Sequence, residues 1–205
     1  MPARPAVLSI RKAPRQRRSA HTVEAILEAA ALVLETDGLE GFNTNAVARR
    51  AGASIGTLYQ YFPSKDALTL ALLQREEGAY REAAAAAAAL PDWREAMATF
   101  IHVSAGQQLE RPNLARLLDQ EEGRPDIRAA LDKGQSFILL IAAILERAGC
   151  SGSERAAADL LAIIRGMTDA AGERGERDPA DLARRINGAV FGYITTACPP
   201  PETTG

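Results

Sequence analysis

Side chains that donate and accept hydrogen bonds crowd into one short stretch, SIGTLYQYFPSK at residues 54–65. Hydroxyls and a lysine suit phosphate oxygens as donors, and the amide of Gln60 has the paired donor and acceptor that match an adenine edge. The alternative is that a tyrosine-rich helix packs into a core and leaves Lys65 solvated, and Tyr59 stays open between the two interpretations. The residue types therefore point to recognition of a nucleic acid.

Two short helices must position these side chains. Asn43 is a good N-cap for a helix that runs to Ala51, where Gly52 ends it, and Ser54 caps a second helix that Pro63 terminates. Two short helices joined by a tight turn are typical of a helix-turn-helix, in which the second helix presents its amino-terminal part to the major groove of DNA. The sequence thus predicts a DNA-binding element in this part of the chain.

Helical spacing divides the second helix into two faces. Leu58 and Phe62 lie four residues apart and, with Ile55 nearby, are expected to anchor it to the preceding helices. The side chains expected to face solvent or DNA are Thr57, Gln60 and Tyr61. Gly56 costs about 1 kcal/mol relative to alanine in a helix, and close approach to a base edge or a phosphate would explain its presence.

The stretches NTNAVA at residues 43–48 and AGASIGTLYQYFPSKDAL at residues 51–68 resemble the DNA-binding domain of the TetR family of bacterial transcriptional regulators. The resemblance runs from about His21 to Leu72. It implies a homodimer that binds a palindromic operator with two such domains, usually to repress transcription.

The resemblance also implies roles for single residues. The residues that match base-facing positions are Ser54, Ile55, Gly56 and Gln60. The residues that match positions in contact with the DNA backbone are Thr57, Tyr61 and Lys65, with Thr44 and Asn45 at the start of the preceding helix. Tyr59 is counted with the candidate DNA contacts. Asn43 stands where the family often has threonine, which keeps the helix cap, and Ala53 stands where it often has valine, which only thins the core.

A basic arm precedes this region. Residues 1–65 hold nine Lys and Arg against five Asp and Glu, whereas the rest of the chain holds 15 against 21. A basic head on an acidic body is expected when one end of a protein meets a polyanion. Arg15, Arg17 and Arg18 are therefore candidates to enter the minor groove or to follow the phosphates, and the alternative is a solvated tail.

Helical periodicity continues through the rest of the chain, and no alternating pattern of useful length interrupts it. The predicted fold class is all-α with about nine helices, near 20–37, 44–51, 54–62, 64–90, 92–109, 112–121, 125–148, 154–172 and 179–197. The predicted layout is a flexible basic arm at 1–18, a three-helix helix-turn-helix domain at 19–65, and a larger helical bundle for ligand binding and dimerisation at 66–205.

By the same resemblance, the body would hold a ligand cavity and a dimer interface. The candidate pocket residues are Trp93, Met97, Phe100, His102, Gln107, Gln108, Arg116, Asp119, Phe137 and Met167. The candidate interface residues on the last two helices are Leu160, Ile164, Ile186, Val190, Tyr193 and Ile194, with Gly188 and Gly192 permitting close approach of helices. The alternatives are that His102 is a surface or structural residue and that these apolar faces belong to the core of one chain.

Several classes of function find little support in the sequence. Cys150 and Cys198 lack a CxxC neighbour and are interpreted as incidental thiols, with redox sensing as the alternative; neither a zinc site nor a disulfide is expected. With two histidines, no phosphate loop and no nucleophile motif, the sequence predicts no metal, no cofactor and no enzyme. No apolar run reaches the roughly 20 residues of a membrane span, and the apolar part precedes the basic cluster, the reverse of a secretory signal, so a cytoplasmic location is expected.

The leading hypothesis is a homodimeric repressor that binds a palindromic operator of double-stranded DNA and is released by a small-molecule effector. The alternative is an architectural or interaction protein that binds DNA and has no small-molecule ligand. A small molecule that weakens the DNA complex would discriminate between them.

Overall fold

The computed structural model describes residues 17–131, 135–150 and 152–198, without the side chains of Arg17 and Arg18. Within these ranges the chain forms ten helices and no strand, which confirms the all-α prediction. None of these helices is both long and apolar enough to cross a membrane. The helices are α1 Arg17–Gly41, α2 Thr44–Arg50, α3 Ile55–Tyr61, α4 Lys65–Ala88, α5 Trp93–Leu109, α6 Pro112–Glu122, α7 Pro125–Arg128, α8 Gln135–Arg147, α9 Ser153–Glu173 and α10 Pro179–Ala197.

Local sequence signals set the ends of the first three helices. Gly38 interrupts α1 with φ 65° and ψ −171°, at the position where the sequence predicted its end. Asn43 Oδ1 accepts a backbone N–H of the first turn of α2 at 2.9 Å, and Ser54 Oγ accepts the N–H of Thr57 at 3.0 Å, so both predicted N-caps are confirmed. Gly52 has φ 64° between α2 and α3, a conformation that glycine adopts without strain.

One predicted helix is two helices in the structure. The periodicity over residues 125–148 predicted a single helix, whereas α7 and α8 are separate. The backbone after α7 closes into tighter turns, in which Ala130 N–H donates to Ile127 O at 2.9 Å. Apolar residues recur at helical spacing both before and after Gly134 in the sequence, although glycine itself is a poor helix former. Periodicity alone therefore did not reveal the break.

The described chain divides into two compact units. The first combines residues 17–77 with 117–131, so that the first three helices share a unit with the segment from the second half of α6 to α7. The second combines residues 78–116 with 135–150 and 152–198. The two boundaries thus fall inside helices α4 and α6.

Helix α3 packs within the first unit. Helix α2 packs against both α1 and α3. Arg75 Nη1 of α4 pairs with Glu24 Oε1 at 3.0 Å and with Glu28 Oε2 at 3.1 Å, both on α1. The fully buried side chains of this unit include Ile26, Leu34, Phe42, Leu58, Phe62, Leu68 and Leu72.

The second unit is a helical bundle. Helix α5 packs against α8, α9 and α10, and α9 packs against α8 and α10. The alanine run in the second half of α4 contributes Ala84, Ala87 and Ala88 to this core. The larger core side chains include Met97, Phe100, Ile101, Phe137, Ile141, Leu160, Ile164, Ile186 and Val190.

A disulfide joins Cys150 to Cys198 in the second unit. The interpretation as two incidental thiols was therefore wrong. Their Cα atoms lie 4.9 Å apart, within the range that a disulfide spans. The two cysteines are 48 residues apart in sequence, and only the packing of α8, α9 and α10 brings them together.

Candidate nucleic-acid interface

The two faces of α3 have opposite character. Leu58 and Phe62 are fully buried, which confirms them as anchors, whereas Ile55 is 38% exposed, so its predicted anchoring role was wrong. Side chains tilt toward the amino end of a helix, and that of the first residue therefore projects past the packed turn. Gly56 and Gln60 are also exposed. The exposed residues of α3 thus include the apolar Ile55, the amide of Gln60 and the backbone at Gly56, together with Tyr59.

The two tyrosines of α3 differ from the expected arrangement. Tyr61 is only 8% exposed, whereas Tyr59 is 43% exposed. The expectation that Tyr61 lies away from the anchors was wrong, because it follows Leu58 by three residues and therefore shares its side of the helix. Contact of Tyr61 with the DNA backbone stays a prediction, and Tyr59 becomes the tyrosine that is openly presented to solvent.

Two pairs of hydroxyl groups orient the polar side chains of α2 and α3. Thr44 Oγ1 at the start of α2 lies 3.1 Å from the Tyr59 hydroxyl, and Ser54 Oγ lies 2.8 Å from Thr57 Oγ1. A hydroxyl has one donor and two acceptor positions, so each group keeps capacity for a further hydrogen bond. Asn45 is exposed beside Thr44. The hydroxyl groups are thus held in place, and each can still form a further hydrogen bond with a partner outside the protein.

Lys65 is held at the start of α4. Its Nζ lies 5.2 Å from the centroid of the Phe42 ring, within the range of a cation–π contact. Ser64 Oγ caps the helix by accepting the N–H of Ala67 at 3.0 Å. The side chain is half-buried. The contact with Phe42 thus holds the charged end of Lys65. In the sequence this lysine follows shortly after α3.

The packing of the protein does not account for Gly56. A Cβ added there would come near only Ser54 Oγ, at 3.8 Å. The expectation that an external partner approaches this backbone therefore stays a prediction. The predicted contacts of Arg17 and Arg18 concern side chains outside the described residues, as do those of the arm at residues 1–16.

Arg124 connects the segment after α6 to the first turn of α4, within the first unit. It donates to Asp66 Oδ1 and Glu121 Oε2, each at 2.8 Å, and to Asp126 Oδ2 at 3.0 Å. Hydrogen bonding to Asp66 raises the pKa of Arg124 further above its ordinary range. The sequence analysis missed this cluster because Asp66 and Arg124 are 58 residues apart and no local pattern links them.

The candidate pocket residues do not form one group. Met97, Phe100 and Phe137 are fully buried, Trp93 lies against Phe191 with ring centroids 5.9 Å apart, and Met167 is half-buried against the core. The exposed candidates are His102, Gln107, Arg116 and Asp119. His102 and Arg116 lie on outward faces of their helices, and their role as ligand contacts stays a prediction.

A polar pair in the same core was missed. Tyr80 and Ser104 share a hydrogen bond of 2.8 Å between their hydroxyls, and Ser104 Oγ also donates to Phe100 O at 2.9 Å. The Tyr80 ring stacks on Phe137 with centroids 4.6 Å apart, and burial raises the pKa of its hydroxyl. The available signal was Ser104 itself, a hydroxyl four residues after Phe100 on the buried face of α5.

The interface candidates lie in the core of one chain. Leu160, Ile164, Ile186, Val190 and Ile194 are all buried within the second unit, so their assignment as interface residues was wrong. Tyr193 is partly exposed and donates to Asp159 Oδ2 at 2.5 Å, and this carboxylate raises the pKa of the tyrosine. The exposed residues of α9 and α10 are a mixture of charged and small ones. The charged ones include Arg155, Asp159, Arg165 and Arg184, and the small ones include Ala158, Ala162, Gly166, Gly188, Ala189 and Gly192.

The fold and the site together define a helix-turn-helix protein with a larger helical unit. Among the described residues, no group of three or more His, Cys, Asp and Glu is arranged to hold a metal ion. Residues 26–72 match the family model described as bacterial regulatory proteins of the tetR family. The match to this family thus covers α2, α3 and the adjoining parts of α1 and α4.

Three comparisons show the extent of the likeness. A stretch of 65 residues is 42% identical to the HTH-type transcriptional repressor KstR of Mycolicibacterium smegmatis, and it covers 32% of this chain but only 29% of that repressor. A TetR-family protein from Mesorhizobium loti has 19% identity and a TM-score of 0.75, over 88% of this chain and 98% of that one. The fatty acid degradation regulator FadR of Bacillus halodurans has 17% identity and a TM-score of 0.72, over 83% and 95%. The family match is thus confined to residues 26–72, whereas the likeness in fold covers most of the chain.

Proposed function

We propose that this protein is a cytoplasmic transcriptional regulator that binds operator DNA through α2 and α3. The observation that carries the proposal is the outer face of α3, where Ile55, Tyr59 and Gln60 are exposed while the opposite face is fully buried. A short helix that is anchored on one side and polar on the other suits the major groove. The family match supports the same use of this unit.

The side chains divide into two kinds of contact. Base edges are assigned to Ser54, Ile55, Gly56 and Gln60, because an amide reads adenine and an apolar side chain meets a thymine methyl group. Phosphates are assigned to Thr44, Asn45, Thr57, Tyr59, Tyr61 and Lys65, with Arg17 and Arg18 in the arm. Contacts with phosphates fix the register on the duplex, and contacts with bases supply the specificity.

The operator is palindromic because the protein acts as a homodimer. The exposed small residues of α9 and α10, Gly188 and Gly192 among them, allow the same helices of a second copy to approach closely. Twofold symmetry in the protein requires two half-sites, about 34 Å apart, in the DNA.

The regulator represses transcription, and a small-molecule effector releases it. The name of the KstR relative supports repression. The effector acts on the second unit, where the Tyr80–Ser104 pair gives a largely apolar core a hydrogen-bonding group. The effector needs only a higher affinity for the conformation that does not fit the operator.

Selection of duplexes from a random DNA pool tests the proposal, with the purified protein at two salt concentrations. We expect a palindromic consensus and a protein–DNA affinity that falls with salt. Gln60→Ala is expected to relax the consensus at one position in each half-site, whereas Gln74→Ala, an exposed glutamine on α4, keeps the consensus. Enrichment of no sequence above the salt-sensitive background would overturn the proposal.

The selected operator then tests the effector. Hydrophobic small molecules are added to the protein–operator complex, and we expect at least one class to weaken it. A complex that no compound weakens would favour the alternative, an architectural DNA-binding protein without a ligand.

A further inference from the structure

We infer that the Cys150–Cys198 disulfide is a reversible redox control on the second unit, formed and broken by exchange with low-molecular-weight thiols and disulfides. The inference rests on the proposed function, because a protein that binds operators works in the cytoplasm, where thiols are kept reduced. Disulfides in that compartment are usually transient and redox-sensing rather than permanent. In the cytoplasm the two cysteines can therefore be either bridged by the disulfide or reduced to two thiols.

The bridge joins the ends of two helices. Cys150 follows α8, and its N–H donates to Leu145 O at 3.1 Å. Cys198 is the C-cap of α10, and its N–H donates to Ile194 O at 2.9 Å. The two cysteines are 48 positions apart, and the segment between them contains all of α9 and all of α10. Oxidation thus closes a covalent ring around this helix pair, and reduction opens it.

The two cysteines differ in exposure. Cys150 is 7% exposed, whereas Cys198 is partly exposed. A reducing thiol therefore attacks the sulfur of Cys198, forms a mixed disulfide there and displaces the sulfur of Cys150, which takes up a proton. A second reducing thiol attacks the mixed disulfide and releases the Cys198 thiol together with the oxidised small disulfide. The reverse sequence, starting from a small disulfide, forms the bridge and releases two small thiols.

The ring couples redox state to DNA binding through the helices that it encloses. Helices α9 and α10 carry the outer face to which we assign dimerisation. A closed ring restricts the unfolded and rearranged forms of this pair more than the native one. Oxidation therefore favours the ordered helix pair, and with it the dimer that holds a palindromic operator.

The first test measures the chemistry and the stability of the full-length protein. The protein is equilibrated in glutathione buffers of graded reduced-to-oxidised ratio, quenched with acid and labelled with N-ethylmaleimide. We expect intact mass to show zero labels in the oxidised protein and two in the reduced protein, with one transition between them. The oxidised form is expected to melt about 10 °C above the reduced form.

Cys150→Ala and Cys198→Ala serve as matched variants for this test. Each is expected to melt like the reduced wild-type protein and to show no response of its melting temperature to glutathione. Reduced wild-type protein provides the same comparison without a substitution, so a variant that folds poorly does not decide the outcome. Two labels in protein equilibrated with oxidised glutathione, or a bridge that excess reduced glutathione leaves intact, would overturn the inference.

The second test measures affinity for the selected operator. Oxidised wild-type protein is expected to bind on the order of tenfold more tightly than reduced protein, within the range usual for coupled sites, whereas Cys198→Ala binds equally in both buffers. Equal binding by both forms of the wild type would overturn the redox control and leave the proposed function standing. Failure of both forms to select an operator would instead refute the proposed function, while the mass and melting measurements would still decide whether the bridge is reversible.

Discussion

Tyr59 and Tyr61 differ in burial although they are two residues apart. Tyr59→Ala is expected to lower operator affinity about tenfold and to leave the melting temperature almost unchanged, because the side chain is exposed and its hydroxyl is held by Thr44 at 3.1 Å. Tyr61→Ala is expected to destabilise the fold by about 3 kcal/mol, since it removes a buried ring. Thermal unfolding and operator titration of both variants separate the two effects. A stable Tyr61→Ala protein would contradict this assignment.

Glycine at position 56 makes α3 less stable than alanine would, but it leaves the backbone there accessible to DNA. Gly56→Ala is expected to stabilise the protein by up to about 1 kcal/mol, because alanine is the better helix former and only Ser54 Oγ lies near the new Cβ. Operator affinity is expected to fall, since the methyl group would stand between this backbone and the DNA. Gly78→Ala on α4, where a Cβ also meets nothing within 4 Å, is the control. It should be more stable without loss of affinity, and equal affinity of both variants would place Gly56 outside the contact.

Lys65 belongs with the phosphate contacts rather than with the base contacts. Lys65→Met keeps the apolar stem beside Phe42 and removes the charge. We expect weaker binding to all sequences and a slope of log affinity against log salt that is smaller by about 1. Arg94→Gln, which removes an exposed cation over Trp93 in the second unit, should leave the slope unchanged. An unchanged slope for Lys65→Met would exclude the phosphate contact.

Residue types predicted the position of this site better than the direction of each side chain. Asn43 and Ser54 are caps because each has an oxygen one turn before a helical N–H, and such a signal is local. Leu58 and Phe62 follow from a spacing of four. The side of Tyr61 also follows from its spacing of three from Leu58. How deeply its ring is buried depends on how α3 packs against α2, which the sequence of a seven-residue helix does not determine.

At the scale of helices, the sequence predicts elements and misses the links between them. Nine helical patterns correspond to the ten helices found, because capping residues and glycines mark most boundaries. The split between α7 and α8 was missed because apolar periodicity runs through both. The Asp66–Arg124 pair and the Cys150–Cys198 bridge each join residues about 50 or more positions apart, and only packing determines such pairs.

Arg124 holds the segment after α6 to α4 within the first unit. Arg124→Gln is expected to destabilise the protein by about 1–2 kcal/mol, or about 2–8 °C in melting temperature, because the nearly buried carboxylate of Glu121 loses its ion pair. Adding Glu121→Gln to this variant should recover part of the loss. Circular dichroism melts of the single and double variants measure the effect. A double variant less stable than Arg124→Gln would contradict the role given to Glu121.

At the scale of the whole molecule, α9 and α10 each have one face in the core of the second unit and one exposed face. Periodicity correctly marks Ile186, Val190 and Ile194 as one apolar face, but a sequence does not say whether that face meets its own chain or another copy. The structure uses it in the core of the second unit. What remains for a second copy is the exposed face, where small residues such as Gly188, Ala189 and Gly192 lie among charged ones. Dimerisation by close backbone approach is therefore compatible with a core that each chain completes by itself.

The exposed glycines of α10 test that arrangement directly. A Cβ at Gly188 or Gly192 meets nothing within 4 Å, so leucine at both positions fits the single chain and improves its helix propensity. We expect Gly188→Leu with Gly192→Leu to keep the helical circular dichroism signal while sedimentation shows monomers. Operator affinity should fall by about two orders of magnitude or more, because one domain then binds one half-site without the second. Ala86→Leu, which places a leucine at an exposed position of α4, is the control and should stay dimeric. If the double variant remains a dimer with full operator affinity, the two copies meet through a different face.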